Sequence, residues 1–155
     1  SLYEVCHRTD KVRIVAPGTD LTFSIKGQCG LRACCGIFNR PCGETGMTIV
    51  QGSANGKIRY NIPSNYQGTT FSNVEFTLKD GIITEAVSDH TELLNKILDT
   101  DAGARRIGEF AIGFNPFITK PSMVVFQSSN KENTCLSIGM NWTNGWKAEE
   151  KEKRL

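Results

Sequence analysis

The stretch Val74-Glu-Phe-Thr-Leu-Lys-Asp-Gly-Ile-Ile-Thr-Glu-Ala-Val87 decides the fold class, because two alternating runs flank an Asp-Gly pair. Alternation of polar and apolar residues is typical of strands that bury one face. An Asp-Gly pair between such runs is among the strongest short hairpin signals. The stretch therefore predicts an antiparallel hairpin that pairs residues 74–79 with residues 82–87.

The chain upstream repeats this pattern twice. Lys11–Ala16 and Leu21–Lys26 alternate and are separated by a turn that begins at Pro17-Gly18. Met47–Val50 and Lys57–Ile62 form a second candidate pair, joined through the segment 52–56. Short alternating runs separated by turn residues predict strands, so we expect two further hairpins or meanders here.

The period changes after residue 88. Asp89-His-Thr-Glu92 places an acid three residues before a glutamate, which resembles a capping box, and the apolar residues that follow have helical spacing. We predict one main helix near residues 90–99. Phe110–Phe114 then predicts a strand, and Met123–Phe126 predicts either a short strand or a helix start.

Together these elements predict an α+β fold, in which a strand-dominated mixed or antiparallel sheet with hairpins precedes helices late in the chain. We expect residues 1–140 to form a single domain. Residues 141–155 form a charged tail that we expect to be a frayed helix or disordered.

Composition excludes several classes of partner. A net charge of +2 from 155 residues gives no electrostatic reason to expect nucleic acid or an anionic membrane. No apolar run approaches the roughly 20 residues that a membrane span needs. The start at Ser1 lacks the basic and apolar regions of a signal peptide, so we predict a cytoplasmic protein.

Six cysteines allow two interpretations. Four of them lie within residues 29–42, and the others are Cys6 and Cys135. Without an export signal, disulfides are not expected. Adjacent Cys34 and Cys35 fit the paired spacing of structural zinc sites poorly, so reduced and partly buried thiols are favoured over a small cysteine-zinc module.

Two carboxylates each follow a glycine. Glu44 lies on a turn between predicted strands, and Glu109 lies at the mouth of the strand predicted at 110–114. Such a pair could bind divalent cations if the fold brought its members together. They could equally be surface acids, with Glu109 paired to Arg105 or Arg106. His7 and His90, the two histidines of the chain, are expected to be exposed and without a catalytic role.

Several segments occur in an order that resembles the aminopeptidase T family of metallopeptidases. They include Pro17-Gly-Thr-Asp-Leu-Thr-Phe-Ser24, Asn39-Arg-Pro-Cys-Gly-Glu44 and Gly103-Ala-Arg-Arg-Ile-Gly-Glu109. The resemblance spans roughly residues 11–118. It implies a metal-dependent domain that removes N-terminal residues from peptides, with zinc, cobalt or manganese ions held partly by Glu44 and Glu109.

The resemblance also implies that this metal site is incomplete. Leu136 stands where the family has a histidine ligand, and no histidine follows it. We therefore expect the chain alone to be inactive. The alternatives are a non-catalytic interaction or truncated domain, the small cysteine-zinc module, and an iron ring-opening enzyme of the dihydroxypyridine dioxygenase type. The last would also need histidines that this chain lacks. Separately, we expect the chain to self-associate as a homo-oligomer.

Overall fold

A computed structural model describes residues 1–28, 30–34, 43–101, 103–115 and 136–141 of the chain. The predictions made for the cysteines at 29, 35, 42 and 135, for the segment 123–126 and for the tail after residue 141 lie outside these residues. Neither described helix is long and apolar enough to cross a membrane.

The described elements are two helices and eleven strands. In chain order they are α1 (Leu2–Arg8), β1 (Lys11–Ala16), β2 (Thr19–Ser24), β3 (Gly30–Cys34), β4 (Glu44–Thr48), β5 (Asn55–Arg59), β6 (Ser64–Tyr66), β7 (Thr69–Phe71), β8 (Glu75–Lys79), β9 (Ile82–Val87), α2 (Thr91–Leu98), β10 (Ile107–Gly113) and β11 (Leu136–Asn141).

The strands form two main sheets and one small one. The first sheet has the order β1-β2-β5-β8-β9 and is antiparallel throughout. The second sheet has the order β11-β10-β4-β3, in which β10 and β11 are parallel and the other pairs antiparallel. Strands β6 and β7 pair with each other. The predicted α+β class, with a mixed or antiparallel sheet and hairpins, is confirmed.

The hairpin predicted at Asp80-Gly81 is confirmed. Leu78 pairs with Ile83 and Lys79 with Ile82. Asp80 has φ 50° and Gly81 has φ 76°, the two positive values that a type I′ turn requires. A Cβ at Gly81 would lie 2.7 Å from the backbone nitrogen of Gly52, so the turn also needs glycine to fit against the neighbouring loop.

The β1–β2 pair is also confirmed, but the second predicted hairpin is wrong. Strand β4 pairs with β3 and β10 in the second sheet, whereas β5 lies between β2 and β8 in the first. The connecting loop crosses between sheets, where the Val50 amide donates to the Ser24 carbonyl at 2.9 Å. The predicted strands 47–50 and 57–62 overlap β4 and β5 only in part, and a loop longer than a tight turn does not specify which strands pair.

The helix predicted near residues 90–99 is confirmed as α2, although its start differs. His90 is the N-cap and makes no side-chain capping bond, while the Asp89 carboxylate accepts from the Ser72 amide at 2.8 Å. The capping box predicted with Glu92 is therefore absent at this end of α2. The expectation that helices come only late in the chain is wrong, because α1 lies at its start. The sequence did not predict α1, since seven residues are too few to show a clear helical period.

The core lies between the two main sheets. Phe23 of β2 meets Phe110 of β10 edge to face, with ring centroids 5.2 Å apart. Met47 and Ile112 add to this core from the second sheet, and α1 contributes Cys6. One face of the β4–β10 pair therefore packs in the core, and side chains on the other face are available to bind a ligand.

Candidate metal centre

Strands β4 and β10 carry the two candidate carboxylates. Glu44 is the first residue of β4, and Glu109 is the third residue of β10, inside the strand rather than at its mouth. In the antiparallel register Glu44 lies opposite Gly113, and Glu109 lies opposite Thr48. Residues opposite each other share a sheet face, and side chains alternate between faces along each strand. Glu44 and Glu109 therefore lie on the same face of one sheet.

The opposite face of this strand pair is the core face. Thr45 and Met47 of β4 are buried there, as are Phe110 and Ile112 of β10. Because side chains alternate between the two faces along each strand, a one-residue shift in register would move the buried side chains out of the core. The core thus fixes the direction in which both carboxylates point.

The side chain of Glu109 covers a glycine on the neighbouring strand. A Cβ built on Gly46 would lie 2.6 Å from Oε1 of Glu109. Gly46 lies opposite Ala111, one step along the pair from Glu109 in the direction of Glu44. The carboxylate of Glu109 consequently leans across β4 towards Glu44.

The ionisation of Glu109 responds to this placement. Burial is the larger cause that raises the pKa of its carboxyl group, and the negative charge of Glu44 raises it further. A like charge has this effect only when it is near, because the repulsion falls with distance and with exposure to water. Two carboxylates from distant parts of the sequence therefore interact electrostatically.

The basic residues before Glu109 have another role. The Arg105 guanidinium donates from Nε to Oδ1 of Asp99 at 2.5 Å and from Nη2 to Oδ1 of Asn95 at 3.0 Å. Arg105 thus ties the end of α2 to the start of β10. Within the described residues no basic side chain pairs with Glu109, so the surface pairing with Arg105 or Arg106 is not observed.

Gly43 sets the position from which Glu44 projects. Its φ of 112° lies in the region that favours glycine, and an added Cβ would come within 2.5 Å of the Asn115 Cβ. The Phe114 amide donates to the Gly43 carbonyl at 2.7 Å. Strand β4 therefore begins directly at Glu44, held against the end of β10.

One polar neighbour on this face is neutral. Thr48, which lies opposite Glu109, donates from Oγ1 to Oε1 of Gln28 at 3.0 Å. Sequence reasoning named neither Thr48 nor Gly46, because both enter the site only through the β4–β10 register. The glycine within β4 was the one available signal, since a strand glycine often marks close approach by another group.

Within the described residues, neither the histidines nor Cys6 joins the two carboxylates in a metal-binding group. His7 is exposed and stacks on Tyr3, and His90 is exposed and forms a T-shaped ring contact with Phe71. Cys6 is a free, buried thiol, and burial raises its pKa. In the part of the chain that the structure describes, no three or more His, Cys, Asp or Glu side chains form a metal-binding group.

Comparison with known proteins identifies the family of the chain. The model of the family described as thermophilic metalloprotease (M29) matches residues 6–151. The chain belongs to this family. The expected resemblance to aminopeptidases of this type is thereby confirmed.

Individual relatives cover part of the chain. Aminopeptidase 2 of Geobacillus stearothermophilus is 41% identical over 59 residues, which are 37% of this chain and 14% of that protein. The structure of wild-type AmpT from Thermus thermophilus superimposes with a TM-score of 0.63 at 27% identity, covering 72% of this chain and 30% of AmpT. The chain thus spans less than a third of the length of either relative.

A second solved structure shows the same fold. A 2,5-dihydroxypyridine dioxygenase from Pseudomonas putida KT2440 superimposes with a TM-score of 0.60 at 13% identity, covering 74% of this chain and 37% of the dioxygenase. At this identity the likeness concerns the fold alone.

Proposed function

We propose that this chain is the metal-binding part of an aminopeptidase that removes N-terminal residues from peptides, and that Glu44 and Glu109 bind a divalent cation. The observation that carries the proposal is the placement of both carboxylates on one sheet face, with the Glu109 carboxylate over Gly46 on the side of Glu44. Two like charges held together cost free energy without a counter-ion, and a cation between them removes that cost. Family membership makes a metallopeptidase the natural setting for such a pair.

The donor set fits a hard or borderline divalent cation such as zinc, cobalt or manganese. In an aminopeptidase the cation would supply an activated water for hydrolysis. Glu44 and Glu109 would supply the negative charge that binds the cation. The packed core on the opposite face of β4 and β10 fixes the direction in which these two carboxylates point. Cytoplasmic location and self-association remain predictions.

The described donor set does not complete a two-metal centre. Leu136, where the family resemblance implies a histidine, begins β11 and pairs with Ile107 beside the Glu109 strand. Leucine has no atom that binds a metal, and two carboxylates with water bind a cation weakly. We therefore propose that this chain binds a divalent cation but does not hydrolyse peptides unaided.

Titration of the chelator-treated protein with Mn²⁺ and Zn²⁺ by calorimetry tests the proposal. We expect binding of one cation per chain. Glu44→Gln and Glu109→Gln should each lower the affinity for the cation. Loss of a residue that only supports a metal ligand lowers metal affinity roughly 10–100-fold, so loss of a ligand should lower it at least as much. Glu85→Gln, which removes an exposed strand carboxylate from the other sheet, should bind like the wild type.

Three outcomes would contradict the proposal. Zinc retained with wild-type affinity by the Glu44→Gln, Glu109→Gln double variant would assign the metal to the cysteines. Absence of binding to the wild-type chain would leave the carboxylate pair without a ligand. Release of free amino acid from a leucine amide substrate by this chain would contradict the expected inactivity.

A further inference from the structure

Gly46 lies in the middle of β4, where a glycine has no conformational reason to be. Strand interiors are weakened by glycine, which has no side chain to pack and loses much backbone freedom on folding. The positive φ that explains Gly43 and Gly56 is not found at Gly46. The reason for a glycine at this position must therefore be space.

The space above Gly46 is filled by one group. A Cβ there would come within 2.6 Å of Oε1 of Glu109, whereas its next neighbours, the Phe110 carbonyl oxygen and the Ala111 Cβ, lie at 3.5 and 3.6 Å. The latter two distances are ordinary van der Waals contacts. Only the Glu109 carboxylate therefore excludes a larger residue, and a flexible side chain can move without disturbing the backbone.

The direction of this contact matters for the carboxylate pair. Along the register, Gly46 is the step between Thr48, opposite Glu109, and Glu44. Because the Glu109 side chain occupies the space above Gly46, its carboxylate lies over β4 and is displaced along the strand towards Glu44. If the space were closed, the Glu109 carboxylate would have to turn away from β4 and from Glu44.

We infer that Gly46 is a positioning residue, which seats the Glu109 carboxylate beside Glu44 so that both can bind one divalent cation. This inference rests on the proposed function and adds to it a residue that binds nothing itself. Its effect is transmitted through the direction of the Glu109 side chain alone.

Gly46→Ala tests the inference with two measurements. In the cation-free protein we expect nuclear Overhauser contacts between the Glu109 side chain and residue 46 in the wild type, and their loss in the variant, with the remaining amide spectrum preserved. We expect Mn²⁺ affinity, measured by water-proton relaxation, to fall about 10–100-fold, as for other residues that orient a ligand. Thr84→Ala, at an exposed residue of β9 in the other sheet, should keep both.

A second variant covers the case in which Gly46→Ala does not fold. Glu109→Asp retains the charge but is one methylene shorter, so it cannot reach the space above Gly46, and we expect a comparable loss of affinity. Wild-type affinity in either variant would overturn the inference while leaving the proposed function intact. Failure of the wild-type protein to bind Mn²⁺ would overturn both.

Discussion

Two influences oppose the ionisation of Glu109, since burial and the charge of Glu44 both raise the pKa of its carboxyl group. The folded chain therefore holds this proton more tightly than the unfolded chain does. Ionised Glu109 destabilises the folded protein. This destabilisation is absent below the ordinary pKa of 4.5, where the carboxyl group is protonated in both states, and is complete above the raised pKa of the folded state. The free energy of unfolding contributed by Glu109 thus falls as the pH rises through this window.

Glu109→Gln should consequently make the cation-free protein more stable than the wild type at neutral pH. The difference should shrink as the pH falls below the ordinary glutamate value, because both proteins are then neutral at this position. Urea unfolding at a series of pH values measures it, with Glu85→Gln as the control for loss of one exposed negative charge. Equal stability of Glu109→Gln and the wild type at every pH would show that the carboxylate is not destabilised by its surroundings.

Gly43 combines a conformational and a spatial requirement. Gly43→Ala would force a positive φ on a residue with a Cβ and push that Cβ against Asn115. Gly27 also has a positive φ, 67°, but has no atom within 4 Å of an added Cβ. We expect Gly27→Ala to cost about 1 kcal/mol in free energy of unfolding and Gly43→Ala about 2–3 kcal/mol. Equal losses, measured by urea unfolding, would show that the contact with Asn115 adds nothing.

At the scale of elements, Arg105 joins helix α2 to strand β10. Its guanidinium bonds to Asp99 and Asn95, and its own side chain is 24% exposed. We expect Arg105→Ala to lower the free energy of unfolding by about 1–2 kcal/mol, since hydrogen bonds to a partly buried charge are lost. Arg106→Ala removes an exposed neighbour and should stay within about 0.5 kcal/mol of the wild type. Thermal or urea unfolding measures the free energy of unfolding of both variants. A larger loss of stability in Arg106→Ala than in Arg105→Ala would contradict the proposed role of Arg105 in joining α2 to β10.

The same scale shows which elements the sequence could predict. The β8–β9 hairpin and helix α2 were predictable because their signals are local, namely the Asp80-Gly81 turn and the spacing of Leu94 and Leu98. Strand β4 was identified but wrongly paired, because partners distant in sequence are selected by core packing rather than by a turn. Helix α1 was missed because seven residues give too short a pattern.

The candidate site divides in the same way. Glu44 and Glu109 were named from their Gly-Glu context and family resemblance, but nothing in either segment indicates that they share a face. That fact follows from the register of β4 on β10, which also brings in Gly46. A glycine inside a strand signals close approach by some group, but which group approaches is known only from the structure.

At the scale of the whole molecule, the two main sheets depend on a shared aromatic contact. Phe110 packs against Phe23 with its own side chain 3% exposed. We expect Phe110→Ala to cost about 3–5 kcal/mol in free energy of unfolding through lost burial and an unfilled cavity. Phe114→Ala, at a residue that is 41% exposed, should cost far less. Similar losses in urea unfolding would show that the sheets do not rely on this contact.

The core contact and the carboxylate pair belong to opposite faces of the same strands. Phe110 faces the first sheet, while Glu109, its neighbour in sequence, lies on the opposite face with Glu44. The packing that stabilises the molecule thus also holds the two charges together. The whole fold, and not one loop, supplies the free energy that keeps like charges close.

The most direct test of this account is an anomalous difference map from crystals of the wild-type protein soaked in Mn²⁺. The account predicts a peak between the carboxylates of Glu44 and Glu109, with both within metal–oxygen bonding distance. A well-occupied peak elsewhere, or crystals in which the two carboxylates point away from each other with no peak between them, would contradict it.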